Sequence, residues 1–210
     1  MSRRARAAGF SLIEILVVIA LISLLIGLLV VAVGRQGEAG RRADCSARIQ
    51  DLSLLLESYR DRNGDYPPAR LAELGVKDAN PVNEGIEALV LALRAPAWGG
   101  RRPDERWLAN GDDDASRAAK AFDGSTALLE LVDPWDNPLA YLPAREYSGE
   151  FTYRTGAGGA PEDARVRAAT NPLTRTPWHA DGFQLRSAGP DGSFGTEDDV
   201  ANFDVETADG

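Results

Sequence analysis

Two patterns of apolar positions organise the chain. From Ile15 to Gly34 there is no charged residue, and Leu, Ile and Val dominate, relieved only by Ala20, Ser23, Gly27 and Ala32. As a helix rising about 1.5 Å per residue, this run spans about 30 Å, the hydrocarbon thickness of a bilayer. Beyond it the pattern becomes one-sided. Cys45, Ile49, Leu52, Leu56 and Tyr59 recur at alternating spacings of four and three, while Arg48, Gln50, Asp51, Glu57, Arg60 and Asp61 fall mostly off that face. One helix of about 80 Å is predicted from about Phe10 to Arg62. Asn63-Gly64 stops it and Pro67-Pro68 forbids its continuation. Gly27, Gly34, Gly37 and Gly40 lie near the junction of the two patterns, where bending or melting is expected.

The rest reads as a loop-rich head. Residues 67–83 form a loop with one short turn at Leu71 to Leu74. A second helix is predicted from Asn83 to Leu93, capped by Asn83, with Glu84 and Glu87 in its first turn. Ile86, Leu89, Val90 and Leu93 make its apolar face, and Pro96 ends it. Residues 97–114 read as a polar loop. Its Asp112-Asp113-Asp114 run, tempting as a metal site, is read instead as an N-cap cluster for a short helix from Ala115 to Phe122. Leu128, Leu129, Leu131 and Val132 return the chain to the core, with Trp107 and Phe122 as core or anchoring aromatics. Asp133-Pro134-Trp135-Asp136-Asn137-Pro138 is a dense turn signal before a strand at Leu139 to Leu142, with Trp135 read as packing. A second strand is expected at Phe151 to Arg154, an irregular stretch from Gly156 to Pro177, and a last strand at Gly182 to Ser187. The fold class is α+β, a long N-terminal helix packed on a small antiparallel sheet. The stretches 97–125 and 148–181 are loop-rich insertions.

Composition narrows the chemistry. The chain of 210 residues carries a net charge of -9 with arginines scattered among acids, which excludes nucleic-acid binding as a main role. The single cysteine, Cys45, precludes an intrachain disulfide and reads as a small buried hydrophobe. The single histidine, His179, has no ligand or triad partners in view and reads as solvent-facing or hydrogen-bonded. A structural protein is therefore favoured over a membrane-anchored periplasmic enzyme.

Glu14 is the anomaly of the apolar segment. A carboxylate there costs about 2.5–3.5 kcal/mol on insertion scales. A secretory signal has a shorter apolar core, and a plain anchor leaves Glu14 unexplained. Gly9-Phe10-Ser11-Leu12-Ile13-Glu14, after a leader with Arg3, Arg4 and Arg6, resembles the class III signal of type IV pilins and type II secretion pseudopilins. The resemblance implies removal of leader 1–9 by a prepilin peptidase, cutting between Gly9 and Phe10, and N-methylation of Phe10. Loss of the leader takes the net charge from -9 to -12. It also implies a role for Glu14, pairing with the Phe10 ammonium of a neighbouring subunit, so that a subunit docks only in register.

Two further stretches carry the resemblance. Asp-Pro-Trp-x-Asn-Pro before a Tyr-containing strand is similar to the major pseudopilin of the type II secretion system, which usually has Gly where this chain has Asp136. That departure matters if the turn needs a positive φ. The C-terminal run from Ser187 to Val200 sets hard oxygen ligands among glycines, and Asp191 with Asp198 and Asp199 can close around a calcium ion, aided by carbonyls such as those of Ser187 or Phe194. Ser187, Gly189, Asp191, Gly192 and Asp199-Val200 match that family's calcium loop. The domain organisation expected is a leader at 1–9, a stem helix at 10–62 with 10–34 as transmembrane segment and fibre core, and a periplasmic head at 63–210 with the acidic loop at 187–200. The resemblance implies a pseudopilin held in the inner membrane by one pass and then built into a periplasmic fibre. It would be a homo-oligomer through its N-terminal helix, meeting membrane lipid, other pseudopilins and the inner-membrane secretion platform. A type IV pilin or a minor, tip pseudopilin is the alternative.

Overall fold

The computed structural model describes residues 12–156 and 160–204, with the backbone alone for 27–36. Gly9 and Phe10 lie outside the described residues. The chain divides into two units, Met1–Gly40 and Arg41–Gly210. Helix α1 spans Leu12–Asn63 and stays helical through the four glycines expected to weaken it. In the first unit every side chain from Leu12 to Ile26 is exposed, a largely apolar helix surface. Among the described residues no helix is long and apolar enough to cross a membrane. The side chains of 27–34, the second part of the apolar run, are not among those residues.

In the second unit, α1 buries the predicted stripe of Cys45, Ile49, Leu52 and Leu56, with Leu55 added, and leaves Leu54 exposed. Half-buried Tyr59 lies against the ring of Trp98, 4.9 Å between centroids. Trp98 is itself buried, and its indole donates to the Arg101 carbonyl at 3.0 Å. The stretch read as a polar loop is therefore pinned to α1 by an aromatic anchor. Gly64, at φ 85, closes α1 by donating to the Arg60 carbonyl at 2.7 Å.

Helix α2, Glu84–Arg94, departs from the one-sided expectation, because every residue from Gly85 to Leu93 is buried. Ile86, Leu89, Val90 and Leu93 join the main core, whereas Ala88 and Leu91 pack into a second core with Leu71, Val76, Ala119 and Leu128. The helix lies between two apolar clusters, so both of its faces are covered. Asn83 precedes α2 in a left-handed conformation at φ 60, and its side chain does not cap the helix. It accepts from the Arg154 N–H at 2.9 Å and donates to Glu130 at 2.9 Å, joining three segments that local sequence does not connect.

The strands are short. β1 (Leu108–Ala109) pairs antiparallel with β2 (Glu130–Leu131). β3 (Ala140–Pro143) pairs with β6 (Phe183–Ser187), which pairs in turn with β7 (Val200–Ala201). β4 (Phe151–Thr155) forms a hairpin with β5 (Glu162–Val166). Two expectations are thereby corrected. The stretch after Gly156 contains a strand, and β6 is followed by β7. β5 carries little apolar alternation along the chain, because its outward residues Glu162, Asp163 and Arg165 bear the charges of a solvated hairpin edge. The predicted helix from Ala115 to Phe122 shrinks to α3, Lys120–Asp123, because Ala115 bridges Ala127 instead. No aspartate caps α3, so Asp112, Asp113 and Asp114 are not its N-cap cluster. The architecture is α+β and pilin-like: a long N-terminal helix over small antiparallel sheets.

Candidate functional site

From Leu12 to Ile26 the N-terminal segment is an exposed helical surface. Glu14 sits in the first turn of α1 among exposed Leu12, Ile13, Ile15 and Leu16. A carboxylate on an otherwise apolar helix surface gives that surface a single strong recognition point.

The Asp-Pro-Trp turn is built around a buried carboxylate. Asp133 Oδ1 accepts from the N–H groups of Trp135 at 2.8 Å and Asn137 at 3.0 Å. Its other oxygen accepts from the Ser187 hydroxyl at 2.6 Å, tying the turn to the end of β6. Burial pushes the Asp133 carboxyl up, and these donors oppose the shift. Asn137 extends the tie, accepting from the Gly156 N–H at 3.0 Å and donating to the Gly189 carbonyl at 3.2 Å. Asp136 occupies φ 64, the left-handed conformation for which a Gly is the usual solution. Trp135 is buried in the main core, as expected of a packing residue. Cys45 is fully buried nearby, and burial pushes its thiol up to about 11. His179 is exposed and hydrogen-bonded, its Nε2 2.9 Å from the Asn202 carbonyl.

The acidic terminal loop lies between β6 and β7. Asp191 accepts from the Ser193 N–H at 2.7 Å. Asp198 accepts from the Asp191 N–H at 3.2 Å and from the Thr196 hydroxyl. Asp199 is buried and accepts from the Gly195 N–H at 2.9 Å, with Arg186 at 3.5 Å from the same oxygen. Its other oxygen, Oδ1, is buried without a hydrogen bond. Burial pushes the Asp199 carboxyl up to about 6, with Gly195 and Arg186 lowering it and Asp198 and Asp191 raising it. Gly189, at φ 63, lets the loop close. A Cβ there would come within 2.5 Å of the Asp198 carbonyl oxygen. Ser187 is buried with its hydroxyl committed to Asp133, and the Phe194 ring packs at a tilt against Tyr153, 5.9 Å between centroids. The bare Asp199 oxygen fits a cation. The carboxylates of Asp191, Asp198 and Asp199 are not gathered as a three-ligand set; among the described residues that convergence occurs only at Glu87, Asp112 and Glu130. Neither Asp133 as an acceptor hub nor the convergence on Glu87 follows from spacing along the chain. The available signal is an Asx residue opening a Pro-rich turn.

Comparison with known proteins agrees with the N-terminal signal. Residues 4–30 match the prokaryotic N-terminal methylation motif. The chain is 28% identical over 170 residues to the type II secretion system core protein G of Pseudomonas aeruginosa, covering 78% of this chain and 96% of that protein. It is 24% identical over 195 residues to the protein of the same name from Escherichia coli K12, covering 93% and 90%. The chain is similar to type IV pilin-like proteins, and most like the major pseudopilin of type II secretion. No solved structure matches it. In this pilin-like protein the turn at 133–138 is the hub that fastens the terminal loop to the sheet.

Proposed function

We propose that the protein is a structural pseudopilin subunit that polymerises into the periplasmic fibre of a type II secretion system. The observation that carries this reading is the methylation motif over residues 4–30, continuous with the exposed apolar helix surface from Leu12 to Ile26. Prepilin peptidase cuts after Gly9 and methylates Phe10. The apolar segment holds the subunit in the inner membrane as a single pass, head in the periplasm, and afterwards forms the fibre core against other copies. Glu14 pairs with a neighbour's Phe10 ammonium, each charge offsetting the other's desolvation. Further pseudopilins and the inner-membrane secretion platform are its assembly partners. The head acts by shape and stability, not by chemistry on a substrate. The terminal loop takes calcium through Asp199 Oδ1, with Asp191, Asp198 and the Ser187 and Phe194 carbonyls as further ligands.

Mass spectrometry of the mature chain, with electron microscopy of overexpressing cells, tests this reading. A chain beginning at methyl-Phe10 and homopolymeric fibres are expected, with fibres lost in Glu14→Ala. A mature chain that still begins at Met1 sinks it.

A further inference from the structure

Inside the head, carboxylates from three separate elements converge. Glu87 comes from α2, Glu130 from β2, and Asp112 with Asp114 from the loop after β1. One oxygen each of Glu87, Asp112 and Glu130 lies within 4.8 Å of the others. Glu87 is 0% exposed and Glu130 1%. Glu130 accepts from Asn83 and from the Gly111 N–H at 3.0 Å. Asn80 divides its amide between Asp112 at 3.3 Å and Asp114 at 3.2 Å. These donors leave much uncovered. Both oxygens of Glu87, and Oδ1 of Asp112 and of Asp114, are buried and accept no hydrogen bond. Among the described residues no Lys or Arg makes an ion pair with any of the four. Arg154, whose charge is felt at Asp112, is committed to Asp163 at 2.8 and 3.1 Å.

Buried carboxylates at this spacing require protons or a cation. One proton shared between Glu87 and Asp114 covers a single pair of oxygens and leaves the other Glu87 oxygen and Asp112 Oδ1 bare. A cation covers the converging oxygens together. The ligands are all carboxylate oxygens, the set preferred by hard divalent ions, with no nitrogen or sulfur to favour zinc or copper. At calcium–oxygen distances of about 2.3–2.6 Å, oxygens on opposite sides of an ion stand about 4.6–5.2 Å apart. The observed spread already falls within that sphere. The geometry points to a divalent-cation site of the calcium class formed by Glu87, Asp112 and Glu130, with Asp114 beside it. Bound there, the ion clamps the insertion at 97–125 onto α2 and β2. The site is separate from the loop at 187–200 and stands without the fibre assignment.

The test uses the full chain in detergent, stripped with EDTA and titrated with calcium by calorimetry. An Asp199→Asn background suppresses any contribution from the terminal loop. One equivalent of calcium binds and raises Tm in that background. Adding Glu87→Gln lowers the affinity at least tenfold and removes the rise in Tm, while the chain stays folded in EDTA. Asp112→Asn, at the half-buried side of the site, gives the same loss and guards against a packing defect from the α2 substitution. No binding in the Asp199→Asn chain overturns the proposal, as does calcium affinity unchanged by both Glu87→Gln and Asp112→Asn.

Discussion

The two acidic regions of the head are opposites in construction. In the terminal loop the acids are close in sequence, and most of their oxygens find donors a few residues away: Ser193 for Asp191, Thr196 for Asp198, Gly195 for Asp199. Beneath α2 the acids are far apart in sequence, and the most buried of them, Glu87, meets no donor. Density of acids along a chain thus says little about demand for a cation. A run of aspartates among glycines can satisfy itself with its own N–H groups as Asx turns. Glu87 does not do so: although it lies in the first turn of α2, neither of its oxygens accepts from a backbone N–H there. On the proposal above, the inner cluster would be the more cation-dependent of the two, whereas the outer loop already holds a network of its own hydrogen bonds.

The largest effect expected from this contrast is at Asp133, which ties the outer loop to the turn at 133–138 by hydrogen bonds. Asp133→Ala strips the acceptor from two N–H groups and the Ser187 hydroxyl, all buried. At about 1–3 kcal/mol for each stranded donor, a loss of about 3–5 kcal/mol is expected in urea unfolding. The loss should be equal in calcium and in EDTA. A loss that calcium restores would mean that the ion, not Asp133, shapes the loop.

Glu87→Gln ranks next and carries the opposite sign. Without a cation, Glu87 is a buried acid pressed by Asp114, Asp112 and Glu130, its carboxyl pushed by burial up to about 10. Replacing such a group with a neutral one of similar shape is neutral or stabilising, here by about 1–3 kcal/mol. In EDTA the variant should unfold at higher urea than the parent, and in calcium the order should reverse. A lower midpoint in EDTA would mean that Glu87 has a stabilising partner in the ion-free chain.

The contrast also marks what the linear pattern reveals. The stripe from Cys45 to Tyr59, the turn at 133–138 and the strands at β3, β4 and β6 are local features, set by periodicity of 3.6 or 2 and by turn residues, and each appears where the pattern puts it. The need for a positive φ at Asp136 is likewise a local property. An acidic run before an apolar stretch is a local signal for a cap, and Asp112–Asp114 carries that signal. Pairing of Ala115 with Ala127, a tertiary event, removed the helix it would have capped. Asn83 lost its capping role to Glu130 and Arg154 for the same reason. The convergence of Glu87 on Asp112 and Glu130 depends on how α2 lies between two cores, which no window of sequence contains.

Asp199→Asn should change stability in EDTA by no more than about 1 kcal/mol. An amide oxygen still accepts from Gly195, and the lost attraction to Arg186 is offset by relief of the buried charge and of its repulsion from Asp198 and Asp191. A loss of several kcal/mol would place the outer loop's stability in its ion pair, and equilibrium unfolding of the variant decides the point.

Asp191→Asn has the smallest effect without calcium and the most discriminating one with it. Asp191 is exposed, and asparagine can still accept from the Ser193 N–H, so Tm in EDTA should move by no more than about 2 °C. If the outer loop takes calcium, the same substitution removes a charged ligand and reduces the rise in Tm that calcium produces. That reduction should persist in a Glu87→Gln background, where the inner site is silent. A rise unchanged by Asp191→Asn but abolished by Glu87→Gln would assign all of the calcium stabilisation to the inner cluster and leave the outer loop as a hydrogen-bonded turn. The reverse pattern would locate the ion at the terminus and make the inner carboxylates a proton-sharing group. Since neither substitution touches the other region's hydrogen bonds, the two contributions should add when both are made together.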